Sequence, residues 1–292
     1  MIDLNKLFDQ SKKIGRLRKI VHDLLKEHEA QGPDSLPTNG RFLFYELAQR
    51  GVLKKHKPKG AAGRRSDQDM HDALTDLREN GVIPWSWITD ETRKRYDYSG
   101  WKSIKEAALS RVHHARLCPW RGRAPTILTE SRAVAGVLRK LMIEYAVVVA
   151  AVGGHCAGFL RNEIAPELEP GDTVLYVGDG DLQGGQIEEH TREVLEELVG
   201  GELNWTRIAL TEEQIDRYDL RQWQIMKVDR RYKPSHPNYR GPAIEAEALK
   251  QHVLVQIVRD ALDALLPETL ERVHEREARQ RRSILARLRG RP

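Results

Sequence analysis

Two cysteines in 292 residues, Cys118 and Cys156, are too few for a disulfide framework. Long apolar runs are missing as well. The longest, Ala146 to Val152, is strand-sized and falls far short of the ~20 residues that span a membrane. No basic n-region followed by an apolar h-region opens the chain. These absences set the expectation of a cytoplasmic protein without membrane contact. No internal repeat is visible.

Common ligand signatures are absent too. Gly178, Gly180 and Gly184 suggest a dinucleotide loop, but a G-x-G-x-x-G pattern starting at Gly178 needs glycine where Gln183 stands. Gly60-Ala61-Ala62-Gly63-Arg64-Arg65 lacks both the spacing of a Walker A loop and its following Lys-Ser/Thr. His113, His114, Cys118, His155 and Cys156 match no tetrahedral zinc pattern, and packing or turn formation suits them better.

Charge, by contrast, is abundant. Charged residues make up 31% of the chain, against about 25% in ordinary globular proteins. The formal balance is +5 with a pI near 9.1, and the cations are clustered. Lys54, Lys55, Lys57, Lys59, Arg64 and Arg65 fall within twelve positions. Arg279, Arg281, Arg282, Arg287, Arg289 and Arg291 crowd the C-terminus. Such local excess suits a polyanion partner, although the C-terminal cluster taken alone suits a solvated tail equally.

The length suits two compact domains better than one. Leu4, Leu7, Phe8, Ile14, Leu17, Ile20, Val21, Leu24 and Leu25 recur at helical spacing, which predicts a helical arm over residues 1–36. Residues 41–49 and 67–79 read as two helices that flank the basic loop. The extended segment Val82 to Ile88 follows them. Helices, basic loop and extended segment together suggest a winged-helix DNA-binding domain over residues 37–120, closing with a helix over 103–117. From residue 121 to 292 the pattern alternates: strands at 126–129, 146–152, 173–178 and 205–210, helices at 131–142, 156–163 and 184–199. This is the pattern of an open parallel α/β sheet. The stretch 243–288 reads as largely helical.

The apolar run Thr173 to Val177 ends in Gly178-Asp179-Gly180-Asp181, and the run Thr126 to Thr129 ends in Glu130. Ligands of open α/β sheets gather at the carboxyl ends of the strands. Three carboxylates there suit a hard cation with oxygen ligands, Mg²⁺ above all, with Mn²⁺ as the alternative. The turn Gly153-Gly154-His155 closes the intervening strand on the same edge. Taken singly, the D-x-D is most often a solvated turn, and Glu130 alone could cap the next helix.

Together, Glu130, the glycine turn and Asp179-Gly180-Asp181 resemble a TOPRIM domain, the metal-binding unit of topoisomerases, primases and some nucleases. Arg41-Phe42-Leu43-Phe44-Tyr45 is similar to the tyrosine motif of the topoisomerase VI A subunit and of the meiotic double-strand-break protein. Ala73 to Trp85 and Ile244 to Leu249 resemble their stand-alone prokaryotic and phage relatives, the mini-A proteins. The resemblance covers residues 38–100 and 125–265. It departs from the family at Leu182, where Pro is frequent, and at Ser131-Arg132, where Lys is common.

The resemblance implies a mixed α/β fold: helical arm, winged helix, then a TOPRIM domain with a mostly parallel sheet. It implies that Tyr45 attacks a phosphodiester of double-stranded DNA to form a 5′-phosphotyrosyl link. Arg41 would assist, Glu130 would serve both catalysis and metal binding, and Asp179 and Asp181 would complete the metal site. Lys54, Lys55, Lys57, Lys59, Arg64 and Arg65 would contact DNA. It further implies a nucleoid-associated homodimer, with a separate ATPase subunit if strands are passed. Read without the resemblance, Tyr45 is an ordinary core tyrosine with its hydroxyl at the rim. A TOPRIM nuclease using water, or an accessory protein that binds DNA without cutting it, then remains open.

Overall fold

The computed structural model describes residues 4–54, 66–89, 100–153, 156–223, 225–228 and 240–289. Lys55, Lys57, Lys59, Arg64, Arg65, Tyr96, Tyr98, His155 and Arg291 lie outside them, so most of the basic loop does too. The chain is mixed α/β, with a helical N-terminal region followed by an α/β region built on a mostly parallel sheet. No described helix is long and apolar enough to cross a membrane.

The N-terminal region consists of α1 (Leu4–Leu7), α2 (Lys13–Gln31), α3 (Gly40–Gln49) and α4 (Ser66–Glu79). The segment read as an arm is part of a shared core. Leu17, Val21, Leu24 and Leu25 of α2 pack with Leu43 and Leu47 of α3 and with Met70, Ala73, Leu74 and Leu77 of α4. Apolar residues three and four apart put one stripe of each helix on this core. The extended segment after α4 differs from the expectation. Trp85–Trp87 form a 3-10 turn, and among the described residues of this segment the strand is β2 (Ile88–Thr89), which pairs in parallel with β1 (Thr38–Asn39). Most of the basic loop and residues 90–99, on which a wing would rest, lie outside the described residues. Next comes α5 (Ile104–His114), somewhat shorter than its sequence pattern suggested; Ser103 caps its first turn.

The sheet runs β4-β3-β5-β7, all parallel, from β3 (Thr126–Thr129), β4 (Val148–Ala151), β5 (Thr173–Val177) and β7 (Asn204–Ala209). β3 lies between β4 and β5, and all four of its residues are buried. Parallel strands covered on both faces read as unbroken apolar runs, which is why β3 and β5 were legible. Alternate residues serve opposite faces. Ile127, Leu175 and Val177 join one core with Leu138, Leu141 and Leu254. Leu128, Val174 and Tyr176 join another with Leu160, Ile164 and Leu195.

Several elements correct the sequence reading. The single helix over 131–142 is two, α6 (Arg132–Val137) and α7 (Arg139–Tyr145), separated at Leu138, where ψ is −3°. Only α8 (Ala157–Phe159) is α-helical in the span 156–163, and a π turn continues to Ile164. α9 (Leu182–Val199) begins directly at Asp181. After β7 come α10 (Glu212–Arg217) and a strand pair absent from the expectation, β8 (Ile225–Val228) and β9 (Arg240–Ile244). β9 lies between β8 and the two-residue β6 (Gly180–Asp181), all antiparallel. A register set by residues some sixty positions apart leaves no local period to read. α11 (Gln251–Leu265) and α12 (Leu270–Arg289) complete the chain.

Candidate functional site

Parallel registry aligns the strand ends. Thr129 stands beside Ala151 on one side and Val177 on the other, so Glu130, Gly153 and Gly178 emerge at one edge. The Glu130 N–H extends the ladder to the Val177 carbonyl at 2.9 Å. Its carboxylate turns toward the neighbouring loop, where Oε2 accepts from the Asp179 N–H at 3.1 Å. Asp179 is only 6% exposed, and its Oδ1 accepts from the Ala246 N–H at 3.0 Å. The first two candidate ligands are therefore brought together. Asp181 is turned elsewhere: its Oδ1 accepts from the Gly184 N–H at 2.6 Å and caps α9. The described residues hold no group of three His, Cys, Asp or Glu side chains already arranged around an ion position.

Arg207 fastens the loop from below. Its Nη1 donates to the carbonyls of Asp179 and Leu210, at 3.2 and 3.0 Å, while its Nε donates to Glu188 at 2.6 Å. Two glycines permit the close approach. A Cβ on Gly153 would stand 2.3 Å from the Glu130 carbonyl oxygen. On Gly184 it would stand 2.6 Å from the Asp179 carbonyl oxygen and 3.2 Å from Glu130 Oε2. Gly184→Ala is therefore expected to cost about 1–3 kcal/mol of stability and to spread the two carboxylates. Gly185→Ala, whose Cβ meets nothing within 4 Å, should stabilise α9 by up to about 1 kcal/mol. Thermal melts of the two variants check this pair, and equal losses would show that contact with the loop is not what matters at residue 184.

The helical region contributes from the other side. Asn39 caps α3 by accepting from the Arg41 and Phe42 N–H groups, and its own amide donates to the Ala133 carbonyl at 3.0 Å. The start of α3 is thus held against α6. This sets Arg41 over the sheet edge, where Nε lies 2.7 Å from Glu247 Oε1 and Nη2 3.5 Å from Glu245 Oε2. Ser131 donates its hydroxyl to the same Glu247 oxygen.

Glu245, Ala246 and Glu247 act as a hub: the middle residue orients Asp179 through its backbone, and the last orients Arg41 through its side chain. The sequence reading used this segment only as a point of resemblance and gave its acids no role. Its signal was a pair of glutamates two apart in an otherwise apolar stretch, Ala243 to Leu249.

Glu247 has a fully buried side chain, and its Oε2 has no hydrogen-bond partner. Burial raises the Glu247 pKa above the usual carboxylate range, and Asp179 adds to the rise while Arg41 opposes it. Burial likewise raises Glu245. For Arg41, burial pulls the pKa down, but Glu247, Glu245, Asp179 and Glu130 outweigh it, and the guanidinium stays above its ordinary value.

A cleft of about 700 Å³ opens between the two regions, lined by Arg41, Arg78, Arg132, Glu130 and Asp179 among others. Arg78 is steadied by the Trp85 ring, 4.5 Å from its guanidinium, and by the Trp85 and Ile88 carbonyls at 3.1 Å. Arg41 and Arg78 on the helical side, with Glu130, Asp179 and Arg132 on the sheet side, can receive a phosphate and a divalent ion together.

Tyr45 follows Arg41 by one helical turn but does not line this cleft. It is 7% exposed, and its ring meets Phe44 edge-on at 6.1 Å. Lys54, the described member of the basic loop, is exposed. No protein-family model, no curated protein and no solved structure matches this chain.

Proposed function

We propose that this chain is a DNA-cleaving enzyme of the topoisomerase VI A-subunit kind, acting on double-stranded DNA as a homodimer with Mg²⁺ or Mn²⁺. The observation that carries the reading is one cleft in which Arg41 and Arg78 of the helical region meet Glu130 and Asp179, with Arg132 two residues after Glu130. The donor set suits a hard divalent ion, since Glu130 and Asp179 offer carboxylate oxygens and Glu247 leaves one buried oxygen without a hydrogen-bond partner. Glu130 and Asp179 would hold the ion, and Asp181 would join them on releasing the Gly184 N–H. Bound there, the ion would offset phosphate charge and stabilise the leaving oxygen.

The residues of the chain supply the rest. Arg41 is half exposed, at 48%, so its free edge is open to a phosphate oxygen while Glu247 fixes the other. The Tyr45 hydroxyl attacks phosphorus, the Oη–P bond forms and the P–O3′ bond breaks. The 3′ oxygen leaves with a proton as a hydroxyl, and the phenolic proton passes to solvent. An unperturbed phenol ionises near pH 10, so the attack needs a neighbouring cation. Tyr45 stands outside the cleft of its own chain, so the carboxylates of a partner protomer would receive it. Two such centres produce a staggered double-strand break. Strand passage would call on a separate ATPase subunit.

The burial of Tyr45 favours a second reading, in which water attacks and the tyrosine is structural. Rapid denaturation of protein, Mg²⁺ or Mn²⁺ and plasmid separates the two. Covalent protein–DNA adducts are expected from the wild type and none from Tyr45→Phe. Cleavage without adducts that survives in Tyr45→Phe would establish water as the nucleophile. Binding without cleavage under either metal would leave a non-cleaving DNA-binding protein.

A further inference from the structure

The helix α12 has two chemically distinct sides. At about 100° per residue, Val273, Glu277, Arg281, Ile284 and Leu288 fall on one of them. Val273 and Glu277 are buried. Glu277 accepts from Arg116, from Arg281 and from the Leu117 N–H, which ties this side to the end of α5. Arg272, Arg276, Arg279, Arg282 and Arg287 fall on the opposite side, within an arc of roughly 140°. Arg276 pairs with Glu268 at 2.7 Å. Arg272, Arg279, Arg282 and Arg287 are exposed and pair with no described acid, and Glu275 is the acidic residue among them.

We propose that this arginine side of α12 is a second nucleic-acid contact, binding the phosphate backbone of duplex DNA away from the cleft. The proposal rests on the reading of the chain as a DNA-binding protein, but not on cleavage. Composition supports it: all seven Lys/Arg positions of α12 are arginine. A solvated face has no use for that choice, whereas the planar guanidinium matches phosphate with two parallel bonds. Length supports it as well. Arg272 and Arg287 are fifteen residues apart, or ~22 Å along a helix, and duplex DNA carries a charge about every 1.7 Å of its axis. A lipid surface fits less well. A helix that lies on lipid needs its apolar side free, and on the Val273 side of α12 Val273 and Glu277 are buried beside α5, leaving Ile284 as an exposed apolar residue there.

The test uses the full chain with EDTA, so that binding is read without cleavage. The logarithm of the association constant for a short labelled duplex is plotted against the logarithm of salt concentration. Replacing Arg272, Arg279, Arg282 and Arg287 together by Gln is expected to flatten the slope by roughly 3 to 4 and to weaken binding at least tenfold at low salt. The fourfold replacement by Lys should keep most of the slope, since charge is retained. An unchanged slope in the Gln variant would overturn the proposal. Equal loss in the Lys variant would do the same, because it would trace the effect to folding. A change seen with duplex RNA but not with duplex DNA would overturn the assignment to DNA. So would lost binding to phosphatidylserine vesicles with DNA binding intact. If the cleavage reading fails, the adduct experiment fails while these slopes remain measurable, so the two failures are distinct.

Discussion

Asp179→Asn is expected, on the proposed cleavage reading, to lower metal-dependent DNA cleavage by about three orders of magnitude while leaving the fold and DNA binding intact. Two of the bonds around Asp179 explain why asparagine is the informative replacement. The side chain holds the Ala246 N–H through Oδ1, and the backbone N–H holds Glu130 Oε2. Asparagine keeps an oxygen for Ala246 and removes only the charge. Asp179→Ala strips the acceptor as well and leaves a buried N–H without a partner, at a cost of about 1–3 kcal/mol. Both variants should lose cleavage, but only alanine should lose stability. Binding of duplex DNA in EDTA should be equal or slightly tighter in both, since on the proposed reading a negative charge has left a cleft that would receive phosphate. Melting curves, salt-titrated binding and a plasmid cleavage assay check the three parts. Undiminished cleavage by Asp179→Asn would remove this carboxylate from the chemistry.

The carboxyl edge was legible because its cause is local. β3 and β5 are short apolar runs closed by Glu130 and by Gly178-Asp179, and a parallel sheet brings such ends together without further information. Which carboxylate points where was not legible. Asp179 and Asp181 look equivalent in sequence, yet one faces the cleft and the other caps α9, because α9 begins at the very next residue. The Glu245–Ala246–Glu247 hub was also beyond local reading. Its role comes from β9 pairing with β6, which brings residue 246 against residue 179.

The same is true of Arg41. Its helical position was clear, but its two glutamate partners lie some two hundred residues further on. The N-terminal helix was legible as a helix, but not what covers it. Its amphipathic stripe was read as a helical arm, and amphipathicity alone cannot say that α3 and α4 cover it.

Glu247→Gln is expected to make the protein more stable and less active at once. For a carboxylate with a fully buried side chain, one oxygen without a hydrogen-bond partner and a raised pKa, the charged form is costly to hold in the fold. Its pKa in the fold is higher than in the unfolded chain, so the fold binds the proton more tightly. Its contribution to stability is then fully present below the unfolded value, near 4.5, and is lost as pH rises through the folded value. Glutamine mimics the protonated form at every pH.

The variant should gain about 1 kcal/mol at neutral pH, a rise of roughly 2 °C in melting temperature. That advantage should shrink as pH falls and vanish below about 4.5. Arg41 is half exposed, so it loses an ion pair without becoming a buried orphan. Its hold on position weakens, however, and cleavage should fall by about 10²-fold with DNA affinity little changed. Natural chains keep such strained charges where function needs them. Melting curves from pH 4 to 8 together with cleavage rates decide the matter. A variant that is less stable at neutral pH, or equally active, would make Glu247 a structural partner of Arg41 and nothing more.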